Sequence, residues 1–252
     1  MGLYERFKSA ANEIQINFPI IGKRAFVLSN KILSFTRFNS KKITSYSSLS
    51  ALKDLGFIGG GFYSENADEG VIIMTLPLFD DVSKVDVRLL ATSVRILQIL
   101  GIEELFLFGV GESLQGDGNG EVMFWADDHI NLSGINPLVG ENIEKFGARF
   151  PDMSAVYDNE LTSIGKKESE KVGFKVENGV WAAFDSTRNR LDEFSDDLTK
   201  NSVHYFSDDL ISESIAAAHG KLSLSLSLLV NPSEAAAAKL QSLFGQLISR
   251  SN

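Results

Sequence analysis

Residues 128–158 read DHINLSGINPLVGENIEKFGARFPDMSAVYD, and the fold assignment turns on this stretch. It follows an apolar run, VMFW at 122–125, whose composition predicts a buried strand. Beyond that run, Gly134, Pro137, Gly140, Gly147 and Pro151 punctuate the chain too densely for a regular helix or strand. Long irregular loops are uncommon inside compact domains and are mostly functional or interfacial. Phe146, Phe150, Met153 and Tyr157 are spread through this one. Such groups either fold back over the core or form an apolar patch for a partner, and the residues alone leave both readings open.

Composition narrows the function classes. A chain of 252 residues with 44% apolar content has enough material for a substantial core and fits one large α/β domain or two small ones; with no linker and no internal repeat visible, it is read as one domain over 1–252. The net charge of −9 argues against nucleic acid or an anionic membrane as the main partner, because both require a basic footprint. The absence of cysteine removes disulfides, thiolate nucleophiles and thiolate-bound metals. No apolar run reaches membrane-span length. The opening MGLYERFKSAANEI has no apolar core of the secretory kind, so a cytoplasmic location is expected unless a leader has been removed.

In chain order, Leu3, Phe7, Ala10, Ala11 and Ile14 are spaced for a helix over 3–15, and residues 24–28 and 71–76 read as buried strands. Gly59, Gly60 and Gly61 predict a tight turn before a strand. Residues 85–100 predict one helix closed by Gly101, with the strand LFLF following at 105–108. Residues 109–113 read GVGES. The run GDGNG at 116–120 resembles part of a calcium loop but lacks its downstream glutamate. Residues 160–170 predict a polar helix, 179–184 a strand and 211–218 a helix with His219 at its C-terminal cap. His204 is expected to be partly buried. Residues 222–229 alternate leucine and serine with strand period. A last helix follows, with Ser233 as N-cap and Leu240, Leu243, Phe244, Leu247 and Ile248 as its apolar stripe.

The pattern D-H-I-N-L, N-P-L-x-G-x-N and F-G-x-R-F-P-D-M-S-x-x-Y-D over 128–158 resembles the corresponding segment of the trimeric purine nucleoside phosphorylases. The resemblance implies that family's fold, a central mixed β-sheet flanked by helices, and a homotrimer assembled through 128–158. It also locates the family's site residues, and most are replaced. The Gly-Ser-Gly phosphate turn is here SNKIL at 29–33, in which Lys31 could supply charge or be a surface residue. Ile58 stands where the family has a histidine, with Gly60 matching a glycine of the same turn. Leu78 replaces the phosphate arginine, Asp80 a histidine near the ribose, and Val82 a tyrosine. A carboxylate about 4 Å from a phosphate charge is disfavoured by roughly 4 kcal/mol at an effective dielectric near 20. Val110 and Gly111 stand in the second phosphate turn, which here also carries Glu112. Arg188 takes the place of the base-reading glutamate, and Thr187 that of the stacking aromatic. An arginine has donors but no acceptor, so Arg188 suits an acceptor-rich or anionic ligand, or else it is a surface residue. Phe206 replaces a methionine, whereas Ser207 and Asn231 match the family's serine and purine-binding asparagine. No histidine follows His219.

The resemblance thus implies the family fold without most of the family's catalytic groups. Removing one preorganised donor typically costs about 10²–10³ in rate, so this many replacements leave little phosphorolysis to expect. The first expectation is a non-catalytic, phosphorylase-like homotrimer. Its pocket, lined by Ile58, Leu78, Asp80, Val82, Val110, Gly111, Arg188, Phe206, Ser207 and Asn231, takes a small and less polar molecule, a pigment among them, or else it serves a structural role. The alternative is an active phosphorylase or hydrolase of altered specificity, with Asp80 activating water and phosphate as co-substrate in the phosphorolytic case. No cofactor or metal is implied.

Overall fold

The computed structural model describes residues 1–17, 22–36, 42–65, 71–114, 120–184 and 191–250. Within them the chain begins with α1 (Leu3–Asn17), β1 (Arg24–Leu28) and β2 (Lys42–Ser45). β3 (Phe57–Gly59), β4 (Gly61–Glu65), β5 (Val71–Thr75) and β6 (Leu78–Phe79) follow, then α2 (Thr92–Ile99), β7 (Glu104–Ser113) and β8 (Val122–Asn131). After the irregular stretch come α3 (Asn159–Lys171), β9 (Lys175–Ala183), α4 (Leu191–Lys200) and β10 (Val203–Ser207). The chain closes with α5 (Ile211–His219), β11 (Ser223–Val230) and α6 (Ala236–Ser249).

A mixed sheet in the order β10-β9-β8-β11-β7-β1-β5-β4-β2 organises these elements, and β10 pairs a second time, with β7. That second pairing, Tyr205 with Ser113 and Phe206 with Glu112, closes β7, β11, β8, β9 and β10 into a ring. It also explains a departure from the sequence reading. Residues 109–113 do not turn; they continue β7. The glycines there serve packing, because a Cβ on Gly109 would lie 2.8 Å from Leu210 Cδ1 and one on Gly111 3.0 Å from Leu228 Cβ. Strand 122–125 likewise runs on through the DHIN motif to Asn131, with an irregularity between Ala126 and Asp128.

Both faces of the central strands are covered. One face buries Phe7 and Ile14 of α1, Val94 and Leu97 of α2, and Ile215 and Ala216 of α5 against Leu105, Leu107, Leu224 and Leu226. The other buries Leu161 of α3 and Leu240, Leu243 and Phe244 of α6 against Phe106, Phe108, Trp125 and Leu229. β11 is therefore a central strand, and Ser225 and Ser227 are as buried as its leucines. The serine hydroxyls find partners: Ser225 Oγ lies 3.0 Å from Thr162 Oγ1, and Ser227 Oγ donates to the Phe124 carbonyl at 2.9 Å. A buried hydroxyl is tolerated when it is bonded, so alternation in sequence does not mean one wet face.

Two helix starts differ from expectation. Residues 82–84 and 87–91 form separate 3₁₀ turns, and α2 begins only at Thr92. The carboxylates of Asp81 and Asp86 accept from the backbone N–H of Ser83 and Arg88, so each caps its own short turn and interrupts the longer helix. At the other end Ala235, not Ser233, is the N-cap of α6. Ser233 instead donates through N and Oγ to Glu121, which ties the helix entry to the start of β8. Gly60 turns as expected, at φ +82°, where a Cβ would meet the Leu76 carbonyl oxygen at 2.3 Å. The calcium-like run lies outside the described residues, apart from Gly120.

Gly165 offers a direct test of this packing. Its missing Cβ leaves room for the Trp125 ring, whose Cη2 would otherwise sit 2.2 Å away, under backbone of α3 that cannot retreat. Gly165→Ala is expected to lose about 1–3 kcal/mol in urea unfolding despite the better helix propensity of alanine. A gain in stability would contradict the packing described.

Candidate functional site

The 128–158 stretch is fastened to the body by a buried cation. Arg95 of α2 is 6% exposed. Its guanidinium lies 4.7 Å from the Phe146 ring centroid and donates to Gln98 Oε1 at 2.8 Å and to the Ala216 carbonyl at 3.3 Å. It also bonds His219 Nδ1 at 3.0 Å. Arginine only donates, so His219 Nδ1 accepts and its Nε2–H donates to the Ala148 carbonyl at 2.9 Å. His219 is therefore a buried neutral bridge to the stretch, not merely the expected helix cap. Burial and the Arg95 charge both depress its pKa, and burial alone pushes Arg95 down to about 10.

The other end of the stretch is fastened as firmly. Tyr157 Oη accepts from Trp181 Nε1 at 2.9 Å and lies 3.1 Å from His129 Nδ1. Asp158 caps α3 by accepting from the N–H groups of Glu160 and Leu161. Phe146 and Tyr157 thus fold back into the core, whereas Phe150 is 87% exposed and Val139 59% exposed. The two alternatives for the apolar groups of this stretch are both realised, by different residues. Phe150, Val139 and Met153 border an open cavity of about 570 Å³ that also meets His129, Arg149 and Ile215.

The predicted site residues fall into two neighbouring groups. Val110, Gly111, Phe206, Ser207 and Asn231 gather where β7, β10 and β11 end, with Ser207 Oγ donating to the Val110 carbonyl at 2.9 Å. Val110 is partly buried against the α6 side of the sheet. The Phe206 side chain packs with Ala182, Phe184, Leu198 and Val203 in a cluster under α4. Asn231 holds a left-handed conformation, φ +48°, and its buried Nδ2 has no hydrogen-bond partner among the described residues. His204 is exposed, not partly buried. Arg188 and Thr187 lie outside the described residues.

The second group surrounds the separate two-stranded sheet formed by β3 and β6. Ile58, Leu78 and Val82 are 65%, 41% and 51% exposed, and Asp80 is exposed beside them. Leu78 and Val82 line a cavity of about 220 Å³, together with Asn30, Leu76, Phe79, Leu90 and Ile135. Its remaining wall is residues 208–213, which contribute Asp208, Asp209 and Glu213. Lys31 reaches this wall, but Asp208 holds it at 2.5 Å.

Two of these acids were not singled out from the sequence. Glu213 is 3% exposed on α5, and burial, with the Asp209 charge, raises its pKa to about 8. Asp209 is raised as well, chiefly by burial and then by Asp208. The signal was present: a glutamate at an inward position between Ile211 and Ile215, and an aspartate pair directly after the matching serine. Among the described residues no group of three His, Asp or Glu side chains is arranged to hold a metal ion.

The comparisons with known proteins agree with the architecture. A family profile described as "Phosphorylase superfamily" matches residues 59–200. Purine nucleoside phosphorylase 1 of Bacillus subtilis is 37% identical over 90 residues, 36% of this chain and 33% of that protein. The Bos taurus purine nucleoside phosphorylase is 43% identical over 84 residues, 32% of this chain and 29% of that protein. The matched part thus spans about a third of the length of these relatives. Isoform 2 of the Schistosoma mansoni enzyme, solved with cytosine and ribose-1-phosphate, superposes with a TM-score of 0.80 at 20% identity, covering 98% of this chain and 96% of that one. A second Schistosoma mansoni structure gives 0.77 at 21% identity, over 98% and 96%. At these identities the structural likeness is one of fold.

Glu213 makes stability depend on pH. Its folded pKa near 8 lies above the ordinary carboxyl value, so the folded state retains the proton that the unfolded state releases. Its contribution is complete below the unfolded pKa and is lost as pH rises through the folded value. Glu213→Gln is therefore expected to gain stability relative to the wild type on the order of 1 kcal/mol per pH unit between about pH 5 and pH 8. A pH-independent difference in urea midpoints would show that Glu213 is already ionised in the fold.

Proposed function

The chain belongs to the phosphorylase superfamily, and from that premise we propose that it keeps the fold of the purine nucleoside phosphorylases without their phosphorolytic activity. In this reading it is a homotrimer that joins through 128–158 and holds a small molecule in the altered pocket. The observation that carries the reading is the wall of Asp208, Asp209 and Glu213 opposite Leu78. The family resemblance places phosphate beside an arginine at the position of Leu78. Here that donor is a leucine, and the nearby Lys31 is already held by Asp208. A phosphate brought into such a cavity meets Asp208 and Asp209 in place of an arginine, and like charges at contact are costly.

Two further features support it. β7 runs extended through 109–113, so its backbone N–H groups do not form a turn that could cradle an anion. Ser207, one of the two matching residues, already donates its hydroxyl to Val110. For the assembly, the support is the exposed Phe150 and Val139 on a stretch that is otherwise firmly anchored. Large exposed apolar groups on a rigid frame are what an interface presents. Among the described residues no helix is long and apolar enough to cross a membrane.

The relatives' names supply the second reading, a working phosphorylase, and one assay separates the two. Inosine with inorganic phosphate is expected to yield hypoxanthine at least about 10³-fold more slowly than with an active purine nucleoside phosphorylase. Turnover comparable to such an enzyme would establish the second reading. For the assembly, Phe150→Asp is expected to shift the light-scattering mass from trimer towards monomer while leaving the melting profile of the subunit in place. An unchanged mass would move the interface elsewhere.

A further inference from the structure

We propose that the small cavity between α1, the 3₁₀ turn at 87–91 and the 128–158 stretch binds one small monovalent anion, a halide such as chloride, on the buried guanidinium of Arg95. This site stands apart from the pocket beside Leu78 and does not depend on how that pocket is read. The cavity measures about 30 Å³. That is roughly the share of one water molecule in the liquid, so it admits a single small ion and is too small for phosphate. Leu3, Phe7, Leu138, Ile143 and Phe146 form its apolar wall, and Arg95, 6% exposed, is the buried charge that lines it.

Arg95 is covered by neutral groups alone. Its Nη1 donates to Gln98 Oε1 and to the Ala216 carbonyl, and its Nη2 donates to His219 Nδ1. A guanidinium carries five N–H groups, so the Nε–H and one Nη2–H have no partner among the described residues. Burial alone lowers the pKa of Arg95, and no neighbouring carboxylate offsets that. Neutral acceptors satisfy hydrogen bonds but leave the charge, and a charge out of water without a counter-charge is costly. A water molecule would take up the spare N–H groups and still leave the charge. An anion supplies both the acceptor and the counter-charge. The aromatic and aliphatic wall lowers the effective dielectric, which strengthens that attraction.

The other charged and titratable groups around the cavity do not replace such an ion. Arg88 also lines it, and both oxygens of Asp86 hold Arg88. Glu141 is exposed, and its charge acts on Arg88. His219 accepts from Arg95 at Nδ1 and donates to the Ala148 carbonyl at Nε2, so it is neutral. Asp86 and Glu141 thus belong to Arg88, and Arg95 keeps an unbalanced charge. Because Arg95 also holds Phe146 and His219, an ion bound to it fastens the 128–158 stretch to α2 and α5. Binding to the folded state alone raises stability with ion concentration.

The test follows urea unfolding of the intact protein at fixed ionic strength while chloride replaces gluconate, an anion too large for the cavity. The unfolding constant is expected to fall saturably, by about tenfold when chloride stands at ten times its Kd. Crystals of the wild type grown in bromide are expected to show an anomalous peak within hydrogen-bond reach of Arg95 Nε or Nη2. Leu138→Phe fills the cavity and leaves Arg95 in place, so it should remove the chloride dependence. If that variant fails to fold, the bromide crystals decide alone. An ordered water or empty density where bromide is expected would overturn the site. So would a wild-type stability indifferent to chloride, or a chloride dependence that survives in Leu138→Phe.

Discussion

The buried guanidinium of Arg95 is the constraint on which the rest of the arrangement depends. A charge without a carboxylate partner is expensive to bury, and it is tolerated only when neutral acceptors and a π face surround it. Here those partners come from three places: Gln98 on its own helix, Ala216 and His219 on α5, and Phe146 from the irregular stretch. Satisfying one cation thereby fixes α2, α5 and the stretch relative to one another. His219 extends the linkage to Ala148, and Gln98 Nε2 donates to the Phe146 carbonyl. Close approach is built in as well, since a Cβ on Gly147 would lie 2.1 Å from the His219 carbonyl oxygen.

That fixation has consequences at both ends of α5. At its C-terminus it holds a stretch whose outer side presents Phe150 and Val139. At its N-terminus it holds Glu213 and the preceding aspartates against the floor formed by Leu78 and Val82. One helix thus couples the apolar surface proposed for assembly to the cavity proposed for ligand binding. The superfamily frame supports this without the residues that the family resemblance assigns to phosphate.

Much of the fold was legible because burial writes itself into local pattern. The stripe of α6, the apolar β1 and β5, and the glycine turn at Gly60 followed from spacing and composition. What was misread depended on contacts distant in sequence. GVGES looks like a turn until β10 pairs with it and Leu210 and Leu228 occupy the space above its glycines. The serines of β11 look solvent-facing until α3 covers them. For the site, the replacements at Ile58, Leu78 and Val82 were visible individually, and the structure places them on and just after the paired strands β3 and β6. Asp209 and Glu213 went unnoticed because a carboxylate usually faces water, and only the packing around the start of α5 shows that Asp209 is half-buried and Glu213 almost wholly buried.

Mass spectrometry decides whether this phosphorylase frame holds a trimer whose site rejects phosphate. The protein would be purified from its own source and weighed first under native and then under denaturing conditions. A native trimer is expected, with any released compound containing neither purine nor phosphate. A monomer would contradict the role given to residues 128–158, and a trimer releasing a purine or a ribose phosphate would contradict the role given to the acidic wall.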